Sequence, residues 1–71
     1  MINEAIRGLM KLKSKDYAGL AAHLGLKSTQ AVHNKLHRNT FTANDLIRIA
    51  EYLDCNLALI DGKNTIVLDR E

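Results

Sequence analysis

His23, His33, His37 and Cys55 are the side chains of this 71-residue chain best suited to hold a metal or to begin covalent chemistry. His33 and His37 stand four residues apart, so one face of a helix would carry both. A zinc site needs further ligands at fixed spacing. Cys55 is one candidate, but no second Cys/His cluster and no His-Glu-x-x-His pair accompanies it. The simpler reading makes the histidines polar groups beside a polyanion, where lower pH adds positive charge. Cys55 is expected to be a small buried hydrophobe. The chain has no nucleophile elbow and no phosphate-binding loop. Asp54, Asp61 and Asp69 fit the solvated ends of elements. The expectation is no catalysis, no cofactor and no metal.

A second constellation carries more. Gln30, Asn34 and Arg38 recur at intervals of four between Ser28 and Asn39. If Val32 and Leu36 face inward on a helix, steps of about 100° place Gln30, Asn34 and Arg38 at about 160°, 200° and 240° from Val32. They lie opposite the core, with His37 alongside. Glutamine and asparagine can each bond an adenine N6/N7 edge in two places, and arginine a guanine O6/N7 edge. No acid occurs from Ser28 to Arg38, which suits an approach to phosphate.

The elements that must position this stripe follow from period and punctuation. Ile2, Ile6, Leu9, Met10 and Lys13 predict a first helix over about 2–13. Asp16 is an N-cap for a second helix whose inner face is Leu20, Ala21 and Leu24, and Gly25 is its left-handed stop. Ala21 is small enough to let another helix cross closely. Ser28 caps a third helix, which Asn39 ends. Thr42-Ala43-Asn44-Asp45 is a capping box with aspartate in the last place, and Phe41 can staple back onto Leu46. The fourth helix turns Leu46, Ile49, Ala50 and Leu53 inward. Then the period changes. Asn56–Ile60 and Thr65–Leu68 flank the turn signal Asp61-Gly62-Lys63-Asn64, predicting a β-hairpin over about 56–69.

Composition sets bounds on these readings. Apolar residues make up 46% and charged residues 25%, an ordinary globular balance. A single domain is expected over 1–71, helical over 1–54 with a hairpin and tail over 55–71. No run approaches the roughly 18 apolar residues of a membrane span. Met1 leads almost directly into an amphipathic stretch, so no signal peptide is expected, and a lone cysteine suits a reducing cytoplasm. The net charge of +2 is unevenly spread. Residues 1–38 carry seven bases and two acids, and residues 39–71 carry three bases and six acids. A basic half is a footprint for a polyanion, or simply a solvated face.

The run Leu20-Ala21-Ala22-His23-Leu24-Gly25-Leu26-Lys27-Ser28-Thr29-Gln30-Ala31-Val32-His33-Asn34-Lys35 resembles the helix-turn-helix of the Cro and repressor-like family of phage and bacterial regulators. Asp45-Leu46-Ile47-Arg48-Ile49-Ala50-Glu51-Tyr52-Leu53 resembles that family's next helix, and together the two cover most of residues 1–54. The resemblance implies a mainly α fold, a four-helix repressor-like helix-turn-helix domain with a C-terminal β-hairpin. It implies a homodimer that binds a palindromic operator in double-stranded DNA, with the third helix in the major groove, acting in transcription regulation. By position, Thr29, Gln30, His33 and Asn34 would read bases. Ser28, Lys35, His37 and Arg38 would lie on or near phosphate. Tyr17 stands where the family often has a phosphate-binding glutamine, and could donate its hydroxyl there or pack as core rim. Two departures bear on register: Lys27 lengthens the turn by one residue, and Leu36 follows Val32 by four where the family usually has three.

The family often adds a fifth helix, and here the hairpin takes its place. Cro-type proteins can dimerise through C-terminal strands, and an isolated hairpin is marginal in water. Ile66, Val67 and Leu68 are therefore the expected dimer contact, with the fourth helix; the alternative is that the hairpin only caps its own chain. The same fold could instead hold a protein partner as an antitoxin or adaptor, with the hairpin pairing edge-to-edge.

Overall fold

Each helix of the chain begins at an N-terminal signal or amphipathic run and ends at a left-handed residue. The computed structural model describes residues 2–68 and contains α1 (Ile2–Leu12), α2 (Tyr17–Leu24), α3 (Thr29–Arg38), α4 (Ala43–Tyr52), β1 (Leu57–Asp61) and β2 (Asn64–Leu68). Asp16 is extended and its carboxylate accepts from the Gly19 N–H at 2.8 Å, opening α2. Ser28 does the same for α3, accepting from Ala31 N–H at 3.3 Å. Ahead of α4, both halves of the capping box form: Asp45 N–H donates to Thr42 Oγ1 at 3.1 Å and Thr42 N–H donates to Asp45 Oδ2 at 3.0 Å.

The C-terminal ends share one device. Ser14, Gly25, Asn39 and Asp54 all have positive φ, between 54° and 73°. In each case the next residue's N–H reaches back five positions: Lys15 to Met10, Leu26 to Ala21, Thr40 to Lys35, Cys55 to Ala50. This closure satisfies carbonyls that a helix end otherwise leaves orphaned. Gly25 and Asn39 are as expected. Ser14 and Asp54 are additional, and Ser14 ends α1 so that Lys13 falls beyond it rather than in its last turn.

The core gathers where the four helices meet. Ile6 and Met10 of α1, Leu20, Ala21 and Leu24 of α2, Val32 and Leu36 of α3, and Ile49 with Leu53 at α4 form one buried cluster. Full burial of a side chain such as Leu36 contributes about 1.5–3 kcal/mol. Phe41 and Leu46, on either side of the Thr42 cap, both pack against this cluster, as does Cys55. Among the described residues, no polar or charged residue is buried. Ile2 departs from the expected inner face: it is half exposed and lies beside an apolar groove of about 160 Å³ that Ile6, Leu9, Leu46, Ile49 and Leu57 also line. The first turn of α1 extends past the core that Ile6 and Met10 reach.

β1 and β2 pair antiparallel from Leu57↔Leu68 to Asp61↔Asn64. Only Gly62 and Lys63 remain as the loop, so Asp61 and Asn64 become the last pair of the ladder rather than turn residues. Gly62 has φ 57°, a value that its position at the start of a two-residue hairpin loop requires and that glycine meets without strain. The hairpin meets the helices where β1 begins, at α4. Its far portion is uncovered: Leu59, Ile60, Ile66 and Val67 are all exposed. Asp69, the last residue of the expected hairpin, lies outside the described residues.

No helix of the described residues is long and apolar enough to cross a membrane.

Candidate nucleic-acid interface

The outward flank of α3 is open. Val32 and Leu36 are completely buried, and this fixes the rotation of the helix. Thr29, Gln30, His33, Asn34, His37 and Arg38 are then exposed, and Lys35 is half-buried. Eight of the nine residues named for contact with bases or phosphate thus lie on or just before one helix, with Ser28 at its cap. The ninth, Tyr17, opens α2 and approaches α3: its ring stands 4.6 Å from that of His33, tilted by 43°. Tyr17 also packs against the core, so its ring body serves as core rim. Its position beside His33 joins the start of α2 to the same surface.

Within the flank, Gln30 Nε2 donates to Asn34 Oδ1 at 3.1 Å. The first turn of α3 has no acid, and Lys35, His37 and Arg38 fill the last. Cations there favour the negative end of the helix dipole, which is a local reason for their placement. It does not account for the amides. Among the described residues, no carboxylate forms an ion pair with Lys35 or Arg38. The face can therefore offer amide donors and acceptors flanked by cations free to meet an anion.

Behind it, α2 is held against α4 by contacts that no sequence pattern announced. Tyr52 Oη donates to the Asp16 carbonyl at 3.0 Å, beside the carboxylate that caps α2. The ring of Tyr52 also meets Lys15, whose ammonium stands 5.3 Å from its centroid, and His23 at 5.8 Å between ring centroids. His23 Nε2 lies 3.5 Å from Glu51 Oε1. Gly19 makes this approach possible: a Cβ there would collide with Tyr52 Oη and come within 2.8 Å of Asp16 Oδ1. Ala21, the expected small residue, is buried, and Gly19 is a second position where only a small residue fits. The partly buried Tyr52 ring and the adjacent Asp16 carboxylate push its phenol above the ordinary value of 10.0.

His33 and His37 share α3, and among the described residues no group of three or more His, Cys, Asp or Glu side chains could hold a metal ion. Cys55 is half-buried against the core. Ile66 and Val67 are exposed and Leu68 is half-buried, all on β2 at the far side of the hairpin loop. The comparison of the chain with family models, curated proteins and solved structures gives no match.

Proposed function

We propose that the chain is a sequence-reading, DNA-binding regulator that acts as a homodimer and inserts α3 into the major groove. The observation that carries this reading is the flank of α3. Polar amides occupy its centre, cations its C-terminal turn, and acids are missing from its length. A helix face selected only for solubility would carry mixed charge, whereas this one matches the donors and acceptors of base edges and the charge of phosphates. α2 and α3, joined through the left-handed Gly25, support it as a helix-turn-helix of the Cro and repressor-like kind. In this reading Thr29, Gln30, His33 and Asn34 face bases, while Tyr17, Ser28, Lys35, His37 and Arg38 face phosphate.

The exposed apolar hairpin supports the dimer. Leu59, Ile60, Ile66 and Val67 are uncovered in a single chain, and a two-stranded ribbon gains from added cover. Ile66, Val67 and Leu68 with α4 are the proposed contact. The same observation favours a second reading, a module that receives another protein on the hairpin as an antitoxin or adaptor does.

Random-site selection with the purified chain at two salt concentrations tests the proposal. The expected result is a palindromic site with half-sites about one helical turn, ~34 Å, apart, and affinity that falls steeply with salt. Selection of no site at either salt concentration would refute it and leave the protein-binding reading.

A further inference from the structure

Gln30 and Asn34 do not stand on α3 as separate groups. The bond from Gln30 Nε2 to Asn34 Oδ1 spends one N–H of the first amide and one lone pair of the second. It also fixes which end of each amide turns away from the other. Gln30 Oε1 is left as an acceptor, and Asn34 Nδ2 is left with both hydrogens to donate. Nearby His33 is in contact with the Tyr17 ring and not with the bridge. The two residues are four apart on the helix, a rise of about 6 Å. That span is long enough for the pair to face two stacked bases, about 3.4 Å apart.

We propose that Gln30 and Asn34 read DNA as one bridged unit that selects a dinucleotide step. Beneath Gln30 the step carries an exocyclic amine, adenine N6 or cytosine N4. Beneath Asn34 it carries an acceptor: guanine O6 or N7, adenine N7, or thymine O4. The major-groove pattern of each base permits this discrimination. Thymine and guanine offer Gln30 Oε1 no donor in the major groove and can meet only the one N–H left on Gln30 Nε2, so they are disfavoured there. The inference rests on the DNA-binding reading above and adds to it the class of sequence and the coupling between two positions.

The test uses the full chain and the site it selects. Binding of the unaltered protein, Gln30→Ala, Asn34→Ala and the double variant is measured on that site and on two duplexes, one with thymine or guanine placed beneath Gln30 and one with cytosine placed beneath Asn34. The unaltered protein should lose on the order of tenfold or more on either replaced duplex. Each single variant should lose discrimination at both base pairs, and the double variant should match the singles to within about threefold. If each single variant relaxes only its own base pair, and the losses multiply in the double, the bridged unit is refuted while DNA binding stands. Gln30→Glu supplies a second readout. A carboxylate cannot donate, so the bridge must reverse, with Asn34 Nδ2 donating and Oδ1 turned outward. The preference beneath Asn34 should then move to cytosine, which offers an amine and no acceptor in the major groove; continued rejection of cytosine there overturns the inference. Gln30 and Asn34 are both exposed, and circular dichroism of each variant confirms that the fold is kept. Failure of the unaltered chain to prefer any site overturns both the DNA-binding reading and this one.

Discussion

Removal of the Arg38 guanidinium should change how strongly salt weakens binding to DNA, and by an amount that can be worked out in advance. Arg38 and Lys35 are the two permanent cations of α3, both in its last turn and, among the described residues, without a carboxylate partner. In a dimer they supply four cations. Each phosphate neutralised releases counterions, giving a slope of log affinity against log salt of about −0.9 per contact. The four contacts give a slope near −3.6, which is a loss of about 150-fold between about 50 and 200 mM salt. Arg38→Ala removes two contacts from the dimer. The slope should fall to about −1.8, and the loss over the same range to roughly 12-fold. The fold should survive, since a cation in the last turn of a helix stabilises it by only about 0.3–1 kcal/mol. Fluorescence anisotropy of a labelled duplex across a salt series reads the slope directly. The variant should weaken on the selected site and on a scrambled duplex alike, because phosphate contacts carry no sequence information. An unchanged slope would show that Arg38 does not face phosphate. A loss confined to the selected site would move Arg38 to the base-reading group.

Three further predictions concern the frame behind that face. Gly19→Ala should lower the thermal midpoint by at least roughly 4 °C, because the added methyl meets Tyr52 Oη and Asp16 Oδ1; the reduced freedom of alanine in the unfolded chain acts the other way by about 0.4–1 kcal/mol, so a raised midpoint would refute the close approach. Ser14→Gly should raise the midpoint by roughly 2–4 °C. A left-handed L-residue costs about 1–2 kcal/mol and glycine gives back part of that in the unfolded state, so a lower midpoint would count against the closure of α1 at φ 54°. Tyr52 tests the alkaline limb. Its partly buried ring, then the nearby Asp16 carboxylate, raise its phenol above 10.0. The folded chain therefore keeps that proton longer than the unfolded chain, and the stabilisation is complete below pH 10 and lost as pH rises through the folded value. Tyr52→Phe should flatten the fall of the midpoint above about pH 10; equal alkaline slopes in the two proteins would refute the assignment.

Features governed by residues close in sequence were legible before the structure. The caps at Asp16, Ser28 and Thr42 and the stops at Gly25 and Asn39 all depend on partners within five positions, and the inward faces of the helices, Ile2 excepted, follow from the spacing of their apolar residues. The stripe Gln30–Asn34–Arg38 followed from the same periodicity once Val32 and Leu36 were taken as core. Ser14 and Asp54 were not legible as helix stops, because neither side chain favours the left-handed region as glycine does; the surrounding contacts impose it. The Tyr52–Asp16 bond joins residues 36 apart, and no local spacing could have indicated it. Gly19 took its significance from that bond, so a glycine inside a short helix gave no sign of its role. The bridge between Gln30 and Asn34 was permitted by spacing of four but depended on the side-chain conformations that the fold selects.

The left-handed closures also shape the path by which the chain reaches its fold. Each helix reverses within a few residues of its last turn, so the three joints between helices span short stretches: 13–16, 25–28 and 39–42. Little loop-closure entropy must be spent before neighbouring helices touch. A topology this local belongs with helical bundles that fold in microseconds to milliseconds. The tie between Tyr52 and Asp16 spans the longest stretch of chain among the described hydrogen bonds apart from that of Lys13 to Asp54, so both should form late, as the latch that locks an already assembled bundle.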